Sequence, residues 1–331
     1  MDKYKLETIN CPLCDSQEYS MYIKKAKELY NNLDEYFDVC KCTECSHIFT
    51  NPRPTMDTIE YFYPDSAGYY QPQYYKERSG FKYEVYKKIL NTFYGYKLET
   101  SANKLLSILI YFLKKRQLEV SHIPTFKKNG KLLDIGSSYG AYLKDKEGIG
   151  WEIFGIELNQ KAAQYAKSEL KIKNIQSDFF ENIVYEADYF DAVNMHMVLE
   201  HVYDPRFVIN KINNILKKGG ELMISVPDIS GFEASVYRQY AYTLQVPQHI
   251  HHFSPKTITK LLQDNGFEVE KIIHQNFDRD MVVSSEYIPS KTLSKFLHNK
   301  LVRKTFVKAF VSFLALTGKT SRMNIYAKKI L

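Results

Sequence analysis

A chain of 331 residues with 44% hydrophobic and 25% charged residues is an ordinary globular polymer, long enough for two or three domains and too apolar to be wholly disordered. No apolar run approaches the roughly 18 residues that a membrane span requires. The charged start MDKYKLETIN shows no signal peptide, so a cytoplasmic protein is expected. The 45 basic and 38 acidic residues give +7, but ten Lys/Arg and no Asp/Glu fall between Pro289 and Leu331, which leaves the first 288 residues at −3. That distribution excludes a generally basic nucleic-acid binder.

All five cysteines lie within the first 45 residues. Thiols stay reduced in the cytosol, so a disulfide framework is not expected. Cys11 and Cys14 form one C-x2-C pair, and Cys42 and Cys45 form another. Two such pairs can place four thiolates around a tetrahedral zinc, which a short segment with little core needs in order to fold. Four thiolates leave the ion no open position, so the expected site is structural. Cys40 is left over; it can replace Cys42 or be a small buried residue.

Downstream, the prolines of HIFTNPRP (His47–Pro54) read as a domain exit, followed by the aromatic stretch Tyr61–Tyr75. Helical patterns follow over Tyr74–Tyr94 and Ser101–Gln117; in the second, Leu105, Leu106, Leu109, Ile110 and Leu113 mark one apolar side. From Lys131 strands and helices alternate. Lys131–Ile135 is a short apolar strand running into Gly136-Ser137-Ser138-Tyr139-Gly140, a turn that lets a ligand approach the backbone closely. The strand Trp151–Ile156 ends at Glu157, placed to take both hydroxyls of a ribose. A third strand delivers Asp178 and Phe179, suited to an adenine amino group and ring face. Tyr189–Asn194 and Glu221–Val226 read as strands on either side of a helix Asp204–Leu216, with a turn at Gly219-Gly220. A helix Pro255–Asn265, a strand Phe267–Ile273 and a last strand Met323–Lys328 complete an α/β chain with a doubly wound, mostly parallel sheet.

A nicotinamide-dependent dehydrogenase would use the same crevice, but Gly136–Gly140 does not match G-x-G-x-x-G. The phrases LLDIGSSYGAYL, FGIEL, SDFF, FDAVNMHMVLEHVYDP and LKKGGELMISVPD resemble, in order and spacing, the motifs of class I S-adenosylmethionine-dependent methyltransferases over about Lys131–Val269. CPLC, CTECSHIFTNPRP and PQHIHHFS resemble a bacterial subgroup with an N-terminal zinc knuckle, whose members often modify sugars of surface polysaccharides or antibiotics. The resemblance implies a Rossmann-like fold with a zinc-ribbon-like knuckle at 1–54, a mainly helical linker or cap at 55–128, a methyltransferase core at 129–288, and a basic amphipathic helix plus last strand at 289–331. It implies S-adenosylmethionine as cofactor, with Asp134, Gly136, Ser138 and Gly140 under its methionine and ribose, and Glu157 on the ribose diol. It further implies Leu158, Asp178 and Phe179 at the adenine and His196 toward the sulfonium. Where the family pattern has a glycine, this chain has Ser138, which is expected to fit only with negative φ.

Methyl transfer requires alignment of nucleophile, methyl and sulfur, and removal of a proton from the acceptor. The expected acceptor is a hydroxyl of a sugar or nucleotide-sugar, with Glu200-His201 and His249 as the candidate catalytic groups. Of the later histidines, His249 and His251 are expected to share one side of an extended chain and His252 the other. Glu200, His201 and a later histidine can also be read as ligands of a divalent metal that chelates vicinal hydroxyls. Small-RNA and quinone methyltransferases that resemble this use a further Glu, where this chain has Met197. C- or N-methylation and a non-catalytic binding role are the alternatives; nucleic-acid methylation is disfavoured by the −3 of the first 288 residues. The tail residues Leu293, Phe296, Leu297, Leu301, Phe306, Phe310, Phe313 and Leu314 suggest amphipathic helices that either cover the fold or dock on an anionic membrane or phosphate-bearing acceptor.

Overall fold

The computed structural model describes residues 3–63 and 75–330. Most of the aromatic stretch Tyr61–Tyr75, and the first residue of the helix expected from Tyr74, lie outside the described residues. That helix runs over Gly80–Phe93 and the next over Lys104–Glu119, capped by Asn103. The strands, in chain order, are β1 (Leu6–Glu7), β2 (Tyr19–Lys27), β3 (Tyr36–Cys42), β4 (Ile48–Thr50), β5 (Arg53–Pro54), β6 (Lys131–Ile135), β7 (Glu152–Ile156), β8 (Ile175–Gln176), β9 (Phe190–His196), β10 (Leu216–Pro227), β11 (His251–His252), β12 (Phe267–His274) and β13 (Arg322–Lys329).

Seven of them follow the order β12-β13-β10-β9-β6-β7-β8, with β6 parallel to both β7 and β9 and β7 parallel to β8. The chain therefore winds outward in both directions from β6, the arrangement that opens a crevice beyond the carboxyl ends of the strands flanking the reversal. Leu132, Leu133, Ala192, Val193 and Met195 are buried, as strands covered on both faces require. The strand expected from Glu221 begins earlier, at Leu216, and runs through the Gly219-Gly220 pair; β8 is only two residues long and stops before Asp178.

The chain divides into two compact units. One comprises the described residues of Met1–Tyr69, His196–Lys211 and Ile224–Tyr326; the other, those of Tyr70–Met195, Ile212–Met223 and Ala327–Leu331. The first holds a four-stranded sheet of order β11-β4-β3-β2 and the two-stranded pairing of β1 with β5. The joining of β11 to β4, His251 opposite Phe49 and His252 opposite Ile48, unites segments about two hundred residues apart. Over this sheet lies a core of Ile23, Ala26, Phe37 and Val39 together with Leu297, Val307, Val311 and Leu314 from the C-terminal helices. Those helices are Lys291–His298, Lys300–Val302 and Lys308–Leu316, the last two joined by a π-helical stretch Arg303–Val307. Among the described residues no helix is long and apolar enough to cross a membrane.

Candidate active site

Three groups of residues carry chemistry. The first is the cysteine cluster. Cys11 and Cys14 lie in the loop after β1, Cys42 ends β3, and Cys45 sits in the turn before β4. Each pair is followed by a residue in the left-handed region, Asp15 at φ 62° and Ser46 at φ 66°. The turns are closed by Asp15 N–H donating to the Cys11 carbonyl and Ser46 N–H donating to the Cys42 carbonyl. The four Sγ atoms lie within 4.8 Å of one another, with Cys11 to Cys45 at 3.5 Å and Cys14 to Cys42 at 3.6 Å. Thiolates around a zinc at a Zn–S distance of about 2.3 Å would be about 3.8 Å apart, so the donor set fits that ion. The Cys11 thiol hydrogen-bonded to it holds Cys45 below the ordinary thiol range. Cys40 stands apart: its thiol points to the Asn51 carbonyl, so Cys42 is the third member.

The second group lies in the unit that holds β6 and β7. Gly136, Ser138 and Gly140 have φ of 78°, 49° and 80°. Ser138 therefore occupies the left-handed conformation and does not take the negative φ expected for a residue with a Cβ. Its N–H donates to Glu157 Oε2 at 2.7 Å. Gly136 and Ser137 N–H both donate to the Ile156 carbonyl, pinning the turn to the end of β7. A Cβ at Gly140 would fall 2.8 Å from Ile172 Cδ1 and 3.0 Å from Ala166 Cβ. Glu157 is buried, and its other oxygen accepts from Asn159 N–H at 2.8 Å. Burial raises its carboxyl above the ordinary range.

Asp134 is also buried, which pushes its carboxyl up to about 7. Asn194 Nδ2 donates to Asp134 Oδ1 at 2.6 Å, and Asn194 Oδ1 in turn meets His122 Nδ1. The register pairs Asp134 with Asn194 across β6 and β9. His122 and Asn194 escaped the sequence reading: a single His in a loop carries no pattern, and only strand pairing reveals Asn194 beside Asp134. Leu158 and Phe179 are exposed apolar side chains. Asp178 Oδ1 accepts from Phe179 N–H and Asn182 Nδ2, so this carboxylate also shapes its own turn. Buried Ser137 Oγ has no hydrogen-bond partner. Left-handed backbone at the switch point, the orphaned Ser137 hydroxyl and paired acidic groups at two strand ends fit an adenosyl cofactor.

The third group lies in the other unit. Glu200 is fully buried and neither carboxylate oxygen has a hydrogen-bond partner. Burial pushes it up to about 8. His201 Nδ1 lies 2.8 Å from the Gln248 carbonyl and 2.9 Å from Tyr63 Oη. His249 Nδ1 lies 2.9 Å from the Thr243 carbonyl. A carbonyl only accepts, so both rings carry their proton on Nδ1 and present a lone pair at Nε2. Burial lowers His201 to about 4 and His249 well below its ordinary range. One ligand atom from each of Glu200, His201 and His249 lies within 4.8 Å of the others, and the two rings meet edge to face at 4.8 Å. Ile250 N–H donates to the Glu200 carbonyl and ties the two segments together.

His251 goes elsewhere. Its Nε2 donates to the Val202 carbonyl at 2.7 Å and its Nδ1 lies 3.3 Å from His47 Nε2, while His252 Nε2 lies 3.2 Å from Thr50 Oγ1. The expected pairing of His249 with His251 on one side fails because β11 spans only His251 and His252. His249 precedes it in a turn whose N–H donates to Gln245, itself at φ 41°. Met197, at the position where a further carboxylate would stand, has φ 55° and its sulfur lies 3.8 Å from Arg322. His196, the last residue of β9, is exposed.

A family described as a methyltransferase domain matches residues 106–272, half of the chain, and the chain belongs to it. With the doubly wound sheet, this defines an S-adenosylmethionine-dependent methyltransferase of class I. The chain is 26% identical over 162 residues to a ubiquinone biosynthesis O-methyltransferase of Thiobacillus denitrificans, covering 45% of this chain and 68% of that one. It is 29% identical over 158 residues to the mitochondrial human enzyme of the same name, covering 43% of this chain and 42% of that one. Among solved structures it is similar to a putative S-adenosylmethionine-dependent methyltransferase from Listeria monocytogenes, at 17% identity and TM-score 0.45, covering 66% and 96%. A geranyl diphosphate C-methyltransferase from Streptomyces coelicolor is similar at 13% identity and TM-score 0.45, covering 68% and 83%.

Proposed function

We propose that this methyltransferase acts on a hydroxyl of a small polar acceptor, a sugar or nucleotide-sugar, with His201 or His249 as the base. The observation that carries the reading is the pair of neutral imidazoles whose Nε2 lone pairs are left open by backbone carbonyls on Nδ1. His201 or His249 would take the acceptor hydroxyl proton on Nε2 as that oxygen gains the methyl, so that the product is a methyl ether and the cofactor leaves as the thioether S-adenosylhomocysteine. S-adenosylmethionine supplies the electrophilic methyl. Asp134, Gly136, Ser138, Gly140 and Glu157 would hold its methionine and ribose parts, Leu158, Asp178 and Phe179 its adenine, and His196 would face the sulfonium. Cys11, Cys14, Cys42 and Cys45 hold one structural zinc.

The test is titration calorimetry with S-adenosylmethionine and S-adenosylhomocysteine, zinc analysis of the same sample, then mass spectrometry of nucleotide-sugars after incubation. Micromolar binding and a product one methyl heavier support the reading. Binding with turnover only of ubiquinone-precursor acceptors would transfer it to the biosynthesis named for the two relatives. Folded protein that binds neither ligand would favour a non-catalytic role.

A second reading rests on the orphaned Glu200 carboxylate: Glu200, His201 and His249 would hold a divalent cation that orients an acceptor with two neighbouring oxygens. Manganese titration followed by electron paramagnetic resonance tests it. A bound ion that Glu200→Gln abolishes supports the cation, and activity unchanged by chelator in metal-free protein rejects it.

A further inference from the structure

We propose that the outward side of the C-terminal helices docks on an anionic lipid bilayer. A helix needs one apolar side to pack. Here that side is Leu297, Val307, Val311 and Leu314, all within the core over the N-terminal sheet. These helices have a second apolar side as well. Leu301, Phe306, Phe313 and Leu316 are between 60% and 74% exposed. Phe306, Phe313 and Leu316 follow one another at steps of seven and three, which keeps them on one helical side opposite Val307, Val311 and Leu314. Exposed phenyl and leucyl side chains gathered on one helical side mark a place that is covered in use.

Charge decides what covers it. Between Lys291 and Leu316 the chain has six Lys/Arg and no Asp/Glu. Nearby acidic groups are engaged: Asp278 with Arg303 at 2.9 Å and Glu286 with His298 at 2.9 Å. Lys300, Lys304 and Lys308 are exposed beside the apolar side. A second copy of this chain would set one cationic rim against another. Lipid phosphates meet lysine heads while acyl chains meet the rings below, and the flexible lysine stems span the two levels. The helix Lys104–Glu119, in the other unit, repeats the combination independently, with Leu105, Leu109, Phe112 and Leu113 exposed beside Lys104, Lys114 and Lys115.

The experiment is co-sedimentation of the full chain with vesicles of two parts phosphatidylcholine to one part phosphatidylglycerol, beside vesicles of phosphatidylcholine alone. Wild type should pellet with the anionic vesicles and bind the neutral ones about tenfold or more weakly, since each lysine near the surface contributes about fivefold. Phe306→Ser with Phe313→Ser should cost about tenfold per ring. Lys304→Ala with Lys308→Ala should cost about fivefold per lysine and flatten the salt dependence. Thermal midpoints and S-adenosylhomocysteine affinity should match wild type in both variants. The proposal is overturned if wild type pellets with neither vesicle, if folded variants bind as tightly as wild type, or if light scattering shows a wild-type dimer that the phenylalanine variant separates.

Discussion

In the unit that carries Asp134 and Glu157, each buried carboxylate meets donors from its own chain: Asn194 for the first, the N–H groups of Ser138 and Asn159 for the second. In the other unit Glu200 is buried with no donor, and the four cysteines chiefly face one another. The contrast is physical. A cofactor bound through hydroxyl and amino groups can share acceptors that already hold backbone, because each carboxylate oxygen has two lone pairs. A buried carboxyl with nothing to accept from costs stability until a cation, a proton or an acceptor reaches it. The two carboxylates at the ends of β6 and β7 already hold donors of their own chain, while Glu200 holds none.

The largest effect should come from breaking the cysteine cluster. Structural zinc supplies on the order of 10 kcal/mol to a small metal-dependent fold. Cys14→Ser, or exhaustive chelation, should therefore abolish zinc retention and lower the unfolding midpoint steeply. Elemental analysis and circular dichroism on one sample check this, and full zinc occupancy in Cys14→Ser would contradict it. Next, His201→Ala should lower kcat by about 10²–10⁴-fold, the usual contribution of a positioned base. Asp134→Asn should instead act chiefly on the KM for S-adenosylmethionine. If both variants moved the same constant, the division of labour between the units would fail.

Glu200 sharpens the contrast through pH. Its folded-state carboxyl is raised to about 8, against an ordinary value of about 4.3 unfolded. Unfolding therefore releases its proton between these values, and its contribution turns against the fold as pH rises from 4 to 8. Glu200→Gln should be more stable than wild type at pH 8, by up to a few kcal/mol, with the gap closing toward pH 4. Urea unfolding at both pH values measures it; an equal gap at both would show the carboxyl to be met in solution. His47 and His252 behave oppositely. Burial lowers each to about 3, so their neutral forms support the fold fully above pH 6.5 and that support is lost as pH falls toward 3. Each should contribute a slope of up to about 1.4 kcal/mol per pH unit in that window, and His47→Gln should flatten the acid limb of the stability profile.

Much of the fold follows from local pattern: Lys131–Ile135 is a strand as read, and the helix expected over Asp204–Leu216 spans Pro205–Ile215. The cysteine pairs were legible because the C-x2-C spacing is a short local pattern that brings two thiols together in one turn. His201 and His249 stood out by type, but their tautomers depend on the Gln248 and Thr243 carbonyls, which no pattern announces. His47 was unreadable as a partner of His251 because the β4–β11 pairing joins distant segments. The double-sided helices were visible as apolar repeats, yet only packing divides Val307 and Val311 from Phe306 and Phe313.

The smallest expected effect lies at Ser138, where local rule and fold conflict. A non-glycine residue in the left-handed region costs roughly 1–2 kcal/mol. The turn tolerates it because Ser138 N–H reaches Glu157 Oε2, with Gly136 and Ser137 tied to Ile156 on one side. Ser138→Gly would remove the strain and keep that bond, but glycine gives the unfolded chain back roughly 0.5–1 kcal/mol of freedom. The net should be a gain of about 0.5 kcal/mol, near 1 °C in the unfolding midpoint, with little change in S-adenosylhomocysteine affinity because the N–H is the same. A midpoint shift of that size with unchanged calorimetric affinity is the expected pair. A large rise in affinity would mean that the serine Cβ or hydroxyl intrudes on the cofactor.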